Sequence, residues 1–443
     1  MSGPGRPILA PLDEQQLQSQ GLASQNSAEG TRKLHRRRMN RSSDSENEQI
    51  PLDVSYSAPD SQSAFATIPT FLISRATLIH VGFTKTRASQ LWDLWGQQQE
   101  AEAELRREFG DDENDGMGMT FLDFMKSAIS RSRDTASSRD QDWIAAMTAW
   151  GIQSELQEAM TDPMFDPIRH SQSCAYWVKD TIEMRFAALE QTQKTSEERN
   201  ALLARGRTAD LIERQFRADA QIANARSAAA RNAPGHTMLY RGMDEGRAMN
   251  LVQDWDSCYL NEMLSMPPSD FSPSRRFFYF SPQRFVAQYY ASWVTRRNEN
   301  IEPRPKPIII QFSMPNSTLE SLSSGTEKLS VYFPDDEWKK LIWYSRRDQP
   351  LPTTLTKYHN ATLIIGTIAR GPDLVLQSLR SWEQVSDNNV LKLGPPRNLA
   401  TAIQFVFTDD KGGLLLQQNM SSFSKQDFDA REYCEWRRGH RIP

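Results

Sequence analysis

Residues Phe277-Phe278-Tyr279-Phe280-Ser281-Pro282-Gln283-Arg284-Phe285-Val286-Ala287-Gln288-Tyr289-Tyr290-Ala291-Ser292-Trp293 change their character partway along. The first five are an aromatic run of strand type. Ser281 is then an N-cap residue type and Pro282 presets the first helical turn. Val286, Tyr289, Tyr290 and Trp293 return at helical spacing. A strand running into a helix is therefore expected here. Further strands are expected at 238–242 (MLYRG), 307–312 (PIIIQF), 361–369 (ATLIIGTIA) and 402–408 (AIQFVFT), each β-branched or aromatic and bounded by turn residues. Pro334-Asp335-Asp336-Glu337 opens a second helix, with Trp338, Leu341, Ile342 and Ser345 on one face. Strands separated by long irregular connections predict an α+β fold rather than a doubly wound parallel sheet.

Working outward from this half, the pattern upstream is helical. Residues 65–190 carry Leu91, Trp92, Leu94 and Trp95, then Trp143, Met147, Trp150 and Leu156, then Trp177, Ile182, Phe186 and Leu189, with Gly and Pro scarce inside each run. They read as a helical module whose Trp stripes are core. Residues 191–233 read as a helical connector: Thr195 and Glu198 fit a capping box, and Gly206 is a break. Residues 234–420 form the mixed domain and 421–443 a polar tail in which Tyr433 and Trp436 are the docking residues. Residues 1–64 hold one aromatic, Tyr56, and are rich in Ser, Gln, Asn and Pro. They are expected to stay disordered, because they offer too little apolar surface to offset the entropy of ordering. The basic run Arg32-Lys33-Leu34-His35-Arg36-Arg37-Arg38 reads as a solvated tail segment, with a nuclear address as the alternative.

Composition excludes several classes. At 443 residues the chain has room for two or more domains. Its 38% apolar content is low for a fully folded chain, in keeping with a disordered part. Lys+Arg 52 against Asp+Glu 56 gives a net charge of −4, without the basic domain of a dedicated nucleic-acid binder. Cys174, Cys258 and Cys434 are far apart, which argues against a disulfide framework or a structural zinc site. No apolar run reaches the ~20 residues that span a bilayer, and the N-terminus lacks the apolar region of a secretory signal. A cytoplasmic setting is expected, or a nuclear one if the basic run is read by a receptor.

Most catalytic motifs are missing. There is no P-loop, no GxSxG elbow and no HxxxH pair, and Gly116-Met117-Gly118 lacks the third glycine of a dinucleotide fingerprint. The stretch 111–124 (DDENDGMGMTFLDF) places Asp111, Glu113, Asp115 and Gly116 like the start of a calcium loop, but Leu122 stands where the bidentate Glu belongs and Asp123 comes one position late. An acidic connecting loop is expected, and no metal.

The order of elements after residue 236 is more specific than any one motif. Leu239-Tyr240-Arg241-Gly242, then Phe277-Phe278-Tyr279-Phe280-Ser281 with its Ala-containing helix, then Leu363-Ile364-Ile365-Gly366-Thr367-Ile368-Ala369, then Gln404-Phe405-Val406-Phe407-Thr408 resembles the ADP-ribosyltransferase-like superfamily, in a microbial branch of it. The resemblance spans residues 236 to about 418. It implies a split β-sheet flanking a cleft that takes NAD as substrate. It implies that Arg241, beside Gly242, holds a phosphate or the backbone near the ribose, that Tyr279 stacks on the nicotinamide, that Ser281 binds the ribose or positions the third residue, and that this third residue, Gln404, occupies the position usually held by Glu. Gln carries no charge for a developing cation, so Glu337 is the competing catalytic carboxylate, against its plain role in a first helical turn. The implied activity is transfer of ADP-ribose to a protein side chain, a nucleic-acid end or water. The alternatives are a catalytically degenerate protein-interaction module and, ranked below it, a calcium-regulated adaptor.

Overall fold

The computed structural model describes residues 6–39, 64–109, 118–130, 134–206, 235–248, 260–395, 398–408, 411–419 and 423–440. The fold is α+β. The expected strands all form: β3 (His236–Asp244), β5 (Phe277–Phe280), β6 (Pro307–Pro315), β8 (Leu363–Thr367) and β11 (Ile403–Phe407). They divide between two sheets. A five-stranded sheet has the order β4 (Leu264–Ser265), β5, β11, β8, β7 (Lys328–Val331), antiparallel except for the β7–β8 pair. A three-stranded antiparallel sheet has the order β12 (Phe423–Asp427), β6, β3. The two meet at a bridge between Tyr240 and Ser281. Two small ladders lie outside them: β1 (Thr31–His35) with β2 (Phe65–Pro69), and β9 (Lys392–Leu393) with β10 (Ala400–Thr401).

Gly242 explains how the three-stranded sheet seats its helix. A Cβ there would lie 2.0 Å from the Ala287 carbonyl oxygen, so β3 crosses the helix Arg284–Arg297 at a distance only glycine allows. That helix starts three residues beyond Ser281. The Ser281 hydroxyl does not cap it: Oγ donates to the Ile403 carbonyl at 2.8 Å and accepts from the Gln283 N–H at 3.1 Å. The second expected helix runs Asp336–Arg346 and buries Trp338, Leu341, Ile342 and Ser345 as its period requires.

Residues 65–190 are largely helical after β2. Trp143, Met147, Trp150, Leu156, Trp177, Ile182, Phe186 and Leu189 are buried, as are Leu91 and Trp95, while Leu94 is exposed. The boundary expected at 190 does not exist. One helix runs Cys174–Ala204, with Thr195 buried inside it rather than capping a new one; it stops at Gly206, whose φ of +75° suits glycine. Nor is the helical region a separate module. Val286, Tyr289, Ala291 and Trp293 share one continuous core with Trp177, Ile182 and Phe186. Arg185 binds the Arg297 carbonyl at 2.7 Å and Asn298 Oδ1 at 3.0 Å, and the Gly371 N–H donates to the His170 carbonyl at 2.6 Å.

Two expectations of disorder are corrected. Residues 6–39 fold: a helix Pro11–Ser19 and strand β1 bury Ile8, Leu9, Leu17, Leu22 and Leu34. The segment docks along the Cys174–Ala204 helix, where Ser196 Oγ accepts the Ala10 N–H at 2.9 Å and Gln193 donates to the Pro7 carbonyl at 2.8 Å. It has too few apolar residues to fold alone but enough to join a core that already exists. The basic run is not a solvated tail: Arg32 is buried and paired with Glu14 at 2.9 Å, and Arg36 with Glu302 at 2.7 Å. The expectation for 40–63 lies outside the described residues, as do most of the connector 207–233 and the acidic positions 111–116. Of the expected tail 421–443, the described residues 423–440 are folded: β12 completes the three-stranded sheet and the helix Ala430–Gly439 buries Tyr433 and Trp436.

Candidate functional site

A cavity of about 140 Å³ opens where the two sheets meet. Each of its walls comes from a different element. β3 brings Tyr240, Arg241 and Gly242; β5 and the turn after it bring Tyr279 and Ser281; β11 brings Gln404; the segment before β5 brings Ser265, Ser269 and Asp270. Trp177 and Asp180 from the helix Cys174–Ala204 and Ala287, Tyr290 and Arg297 from the helix Arg284–Arg297 line the rest of it. The volume matches a site for one aromatic ring rather than for a whole dinucleotide, so a longer ligand has to extend through the mouth.

Each polar group has a defined state. Arg241 is half-buried and donates from Nη1 to the Met263 carbonyl. No carboxylate pairs with it among the described residues, and burial lowers its pKa. Tyr279 donates its hydroxyl to Ser269 Oγ at 2.6 Å, and burial raises its pKa. Gln404 is buried and donates from Nε2 to Asp270 Oδ2 at 3.0 Å and to the Thr367 carbonyl at 3.4 Å. Asp180 pairs with Arg247 at 2.5 Å and with Arg297 at 2.8 Å. Burial pushes its pKa up, but the two guanidinium groups outweigh that and hold it below the usual carboxylate value. Arg247 is also bound by Asp244. Arg297 lies over the Trp177 and Trp293 rings, with its carbon 4.9 and 5.1 Å from their centroids.

Behind Gln404 sits a fully buried guanidinium. Arg346 contacts Asp270 at 3.2 Å and Asp373 at 3.1 Å, and donates to the carbonyls of Ser171 at 2.7 Å and Gly371 at 2.9 Å. The Asp270 carboxylate also accepts the Ala369 N–H at 2.8 Å. Burial raises the pKa of Asp270, against the pull of Arg346, the Ala369 N–H and Gln404.

Four of the residues named from sequence therefore converge on one cavity: Arg241, Tyr279, Ser281 and Gln404, with Gly242 alongside. Gly242 is required by the approach of the helix backbone, and that packing accounts for it in full. Glu337 is not part of the site. It lies at the opposite end of its helix from Arg346, about 14 Å away along the axis, and is held by Lys357 at 2.8 Å and the Tyr358 hydroxyl at 2.7 Å. These contacts, with the Lys357 bond foremost, lower its pKa; its role is local. Sequence reasoning missed Asp270, Asp180, Arg247, Arg297 and Arg346. Asp270 follows Pro267-Pro268-Ser269 and reads as a turn residue, while Trp177 and Asp180 sit in a stretch whose helical period reads as core.

No group of metal-ligating side chains occurs among the described residues, and no helix among them is long and apolar enough to cross a membrane. Comparison with protein-family models, with curated proteins and with solved structures returned no match.

Proposed function

We propose that the cavity is an NAD site of ADP-ribosyltransferase-like type and that the protein transfers ADP-ribose from NAD to an acceptor nucleophile. The observation that carries this reading is the convergence of Arg241, Tyr279, Ser281 and Gln404, from β3, β5 and its following turn, and β11, around one ring-sized cavity. The split into two sheets joined at Tyr240–Ser281 supports the same reading. The nicotinamide ring lies within the cavity against Tyr279, and the diphosphate leads out past Arg241, whose guanidinium has no carboxylate partner among the described residues. The bond from the ribose to nicotinamide breaks and its electron pair leaves with the ring. A new bond then forms from the same ribose carbon to the acceptor, which gives up a proton to solvent. Tyr279 and Trp177 exclude water from the ring's side, and Gln404 accepts a hydrogen bond from a ribose hydroxyl. The test is to incubate the full chain with NAD and measure free nicotinamide.

One observation favours a second reading, that of a binding module without turnover. The carboxylates lining the cavity, Asp180 and Asp270, are both engaged by arginines, and Gln404 is neutral. NAD binding with no release of nicotinamide would decide for it.

A further inference from the structure

Gln404 touches two groups that can only accept. The Asp270 carboxylate is a pure acceptor when ionised, and the Thr367 carbonyl always is. The amide nitrogen must therefore face both, which settles the orientation of a side chain whose O and N are otherwise interchangeable. Oε1 is left without a partner among the described residues, on a side chain that lines the cavity. Asp270 is itself held from several directions. Oδ2 accepts the Ala369 N–H as well as the Gln404 amide, and Oδ1 takes the Arg346 guanidinium, which Asp373 shares.

From this geometry we infer that Asp270 is the positioning residue of the cleft: it fixes Gln404 with its carbonyl oxygen toward the cavity, as an acceptor for a ligand hydroxyl. This rests on the NAD reading for the identity of that hydroxyl, a ribose OH. Donation to a carboxylate polarises the amide and concentrates negative charge on Oε1. Gln404 thus recovers part of what a Glu would provide without placing an ion in the cavity. It follows that Gln404→Glu alone does not restore a catalytic carboxylate. It sets two carboxylates at a 3.0 Å contact, which then have to share a proton.

The experiment uses the full chain in four forms: wild type, Asp270→Asn, Gln404→Glu and the double variant. Thermal unfolding reads the contact. A shared proton is a raised folded-state pKa, so the stability tied to it is present at low pH and lost as pH rises. The other ionisable groups facing Asp270, namely Arg346, Asp373, Tyr279 and Tyr290, are common to all four forms. We expect the melting temperature of Gln404→Glu to fall further below wild type at about pH 8 than at about pH 5. The double variant, with an amide now facing the new carboxylate, should not show this. Nicotinamide release reads the consequence: Asp270→Asn lowers kcat by about tenfold or more with KM little changed, and the double variant recovers it. If Asp270→Asn does not fold, Gln404→Met serves as the comparison and shows no pH dependence beyond wild type. A Gln404→Glu melting temperature that tracks wild type across the range overturns the inference. The pH signature without NAD binding in any form supports the Asp270–Gln404 contact and sinks the NAD reading instead.

Discussion

Tyr240 and Ser281 exchange two backbone hydrogen bonds, from the Tyr240 N–H to the Ser281 carbonyl at 2.7 Å and from the Ser281 N–H to the Tyr240 carbonyl at 2.8 Å. This pair joins the three-stranded sheet to the five-stranded one. Arg241 is the next residue on one side and Tyr279 lies two residues back on the other, so the junction sets the separation of the two cavity walls. The Ser281 hydroxyl adds a third tie, to Ile403 on β11, next to Gln404. Ser281→Ala keeps both backbone bonds and loses that tie. It should cost about 1 kcal/mol in denaturant unfolding and lower nicotinamide release by more than its stability effect explains.

Arg346 should be costly to remove. It is fully buried, pairs with Asp270 and Asp373, and binds the Ser171 carbonyl from the helical region. Arg346→Met removes the guanidinium that two buried carboxylates share. Breaking such a group should destabilise the protein by about 3–5 kcal/mol, read as a fall in the urea midpoint. Arg346→Lys should recover only part of this, since one ammonium cannot reach four acceptors with the geometry of a guanidinium.

How far the sequence specifies each residue's place differs from residue to residue, for physical reasons. Apolar period is a local property, so β5, the Arg284–Arg297 helix and the Trp338 face were legible. Arg241, Tyr279, Ser281 and Gln404 were legible through the order of their strands. Asp270 was not, because an Asp after Pro-Pro-Ser is the commonest kind of turn residue, and only the fold brings it 3.0 Å from a residue 134 positions away. The N-terminal segment was misread for a related reason. Ile8, Leu17 and Leu34 are few among 64 mostly polar residues, and the core they join is supplied by residues far along the chain, such as Ile182 and Leu189.

Removal of residues 1–39 should therefore lower the melting temperature clearly, because it exposes the surface on which Ile8, Leu9 and Leu17 pack. An unchanged melting temperature would mean that the segment does not dock in solution. Residues 234–443 alone should likewise not form the cavity. Trp177 and Asp180 line it, and Arg297 and Arg346 would lose partners from the helical region. Circular dichroism of that fragment should show incomplete folding.

Acid should destabilise the protein in part through His80. Burial, reinforced by Arg185, lowers its pKa to about 3. A histidine with a lowered folded pKa binds its proton more readily when unfolded, so its contribution to stability is full above the ordinary value near 6.5 and is lost as pH falls toward 3. His80→Gln should lose less stability than wild type between about pH 7 and about pH 4, whatever its stability at neutral pH. Equal losses in the two proteins would contradict the buried neutral imidazole.

If Arg241 and its neighbours bind NAD, calorimetric titration of NAD into the full chain gives a heat of binding. Wild type should bind. Arg241→Ala should bind more weakly by about 1.5–3 kcal/mol, the worth of a hydrogen bond to a charged group. Glu337→Ala should bind as wild type does, because Glu337 lies outside the cavity, held by Lys357 and Tyr358. No heat of binding from folded wild type, or a loss in Glu337→Ala equal to that in Arg241→Ala, would mean that the cavity does not bind NAD.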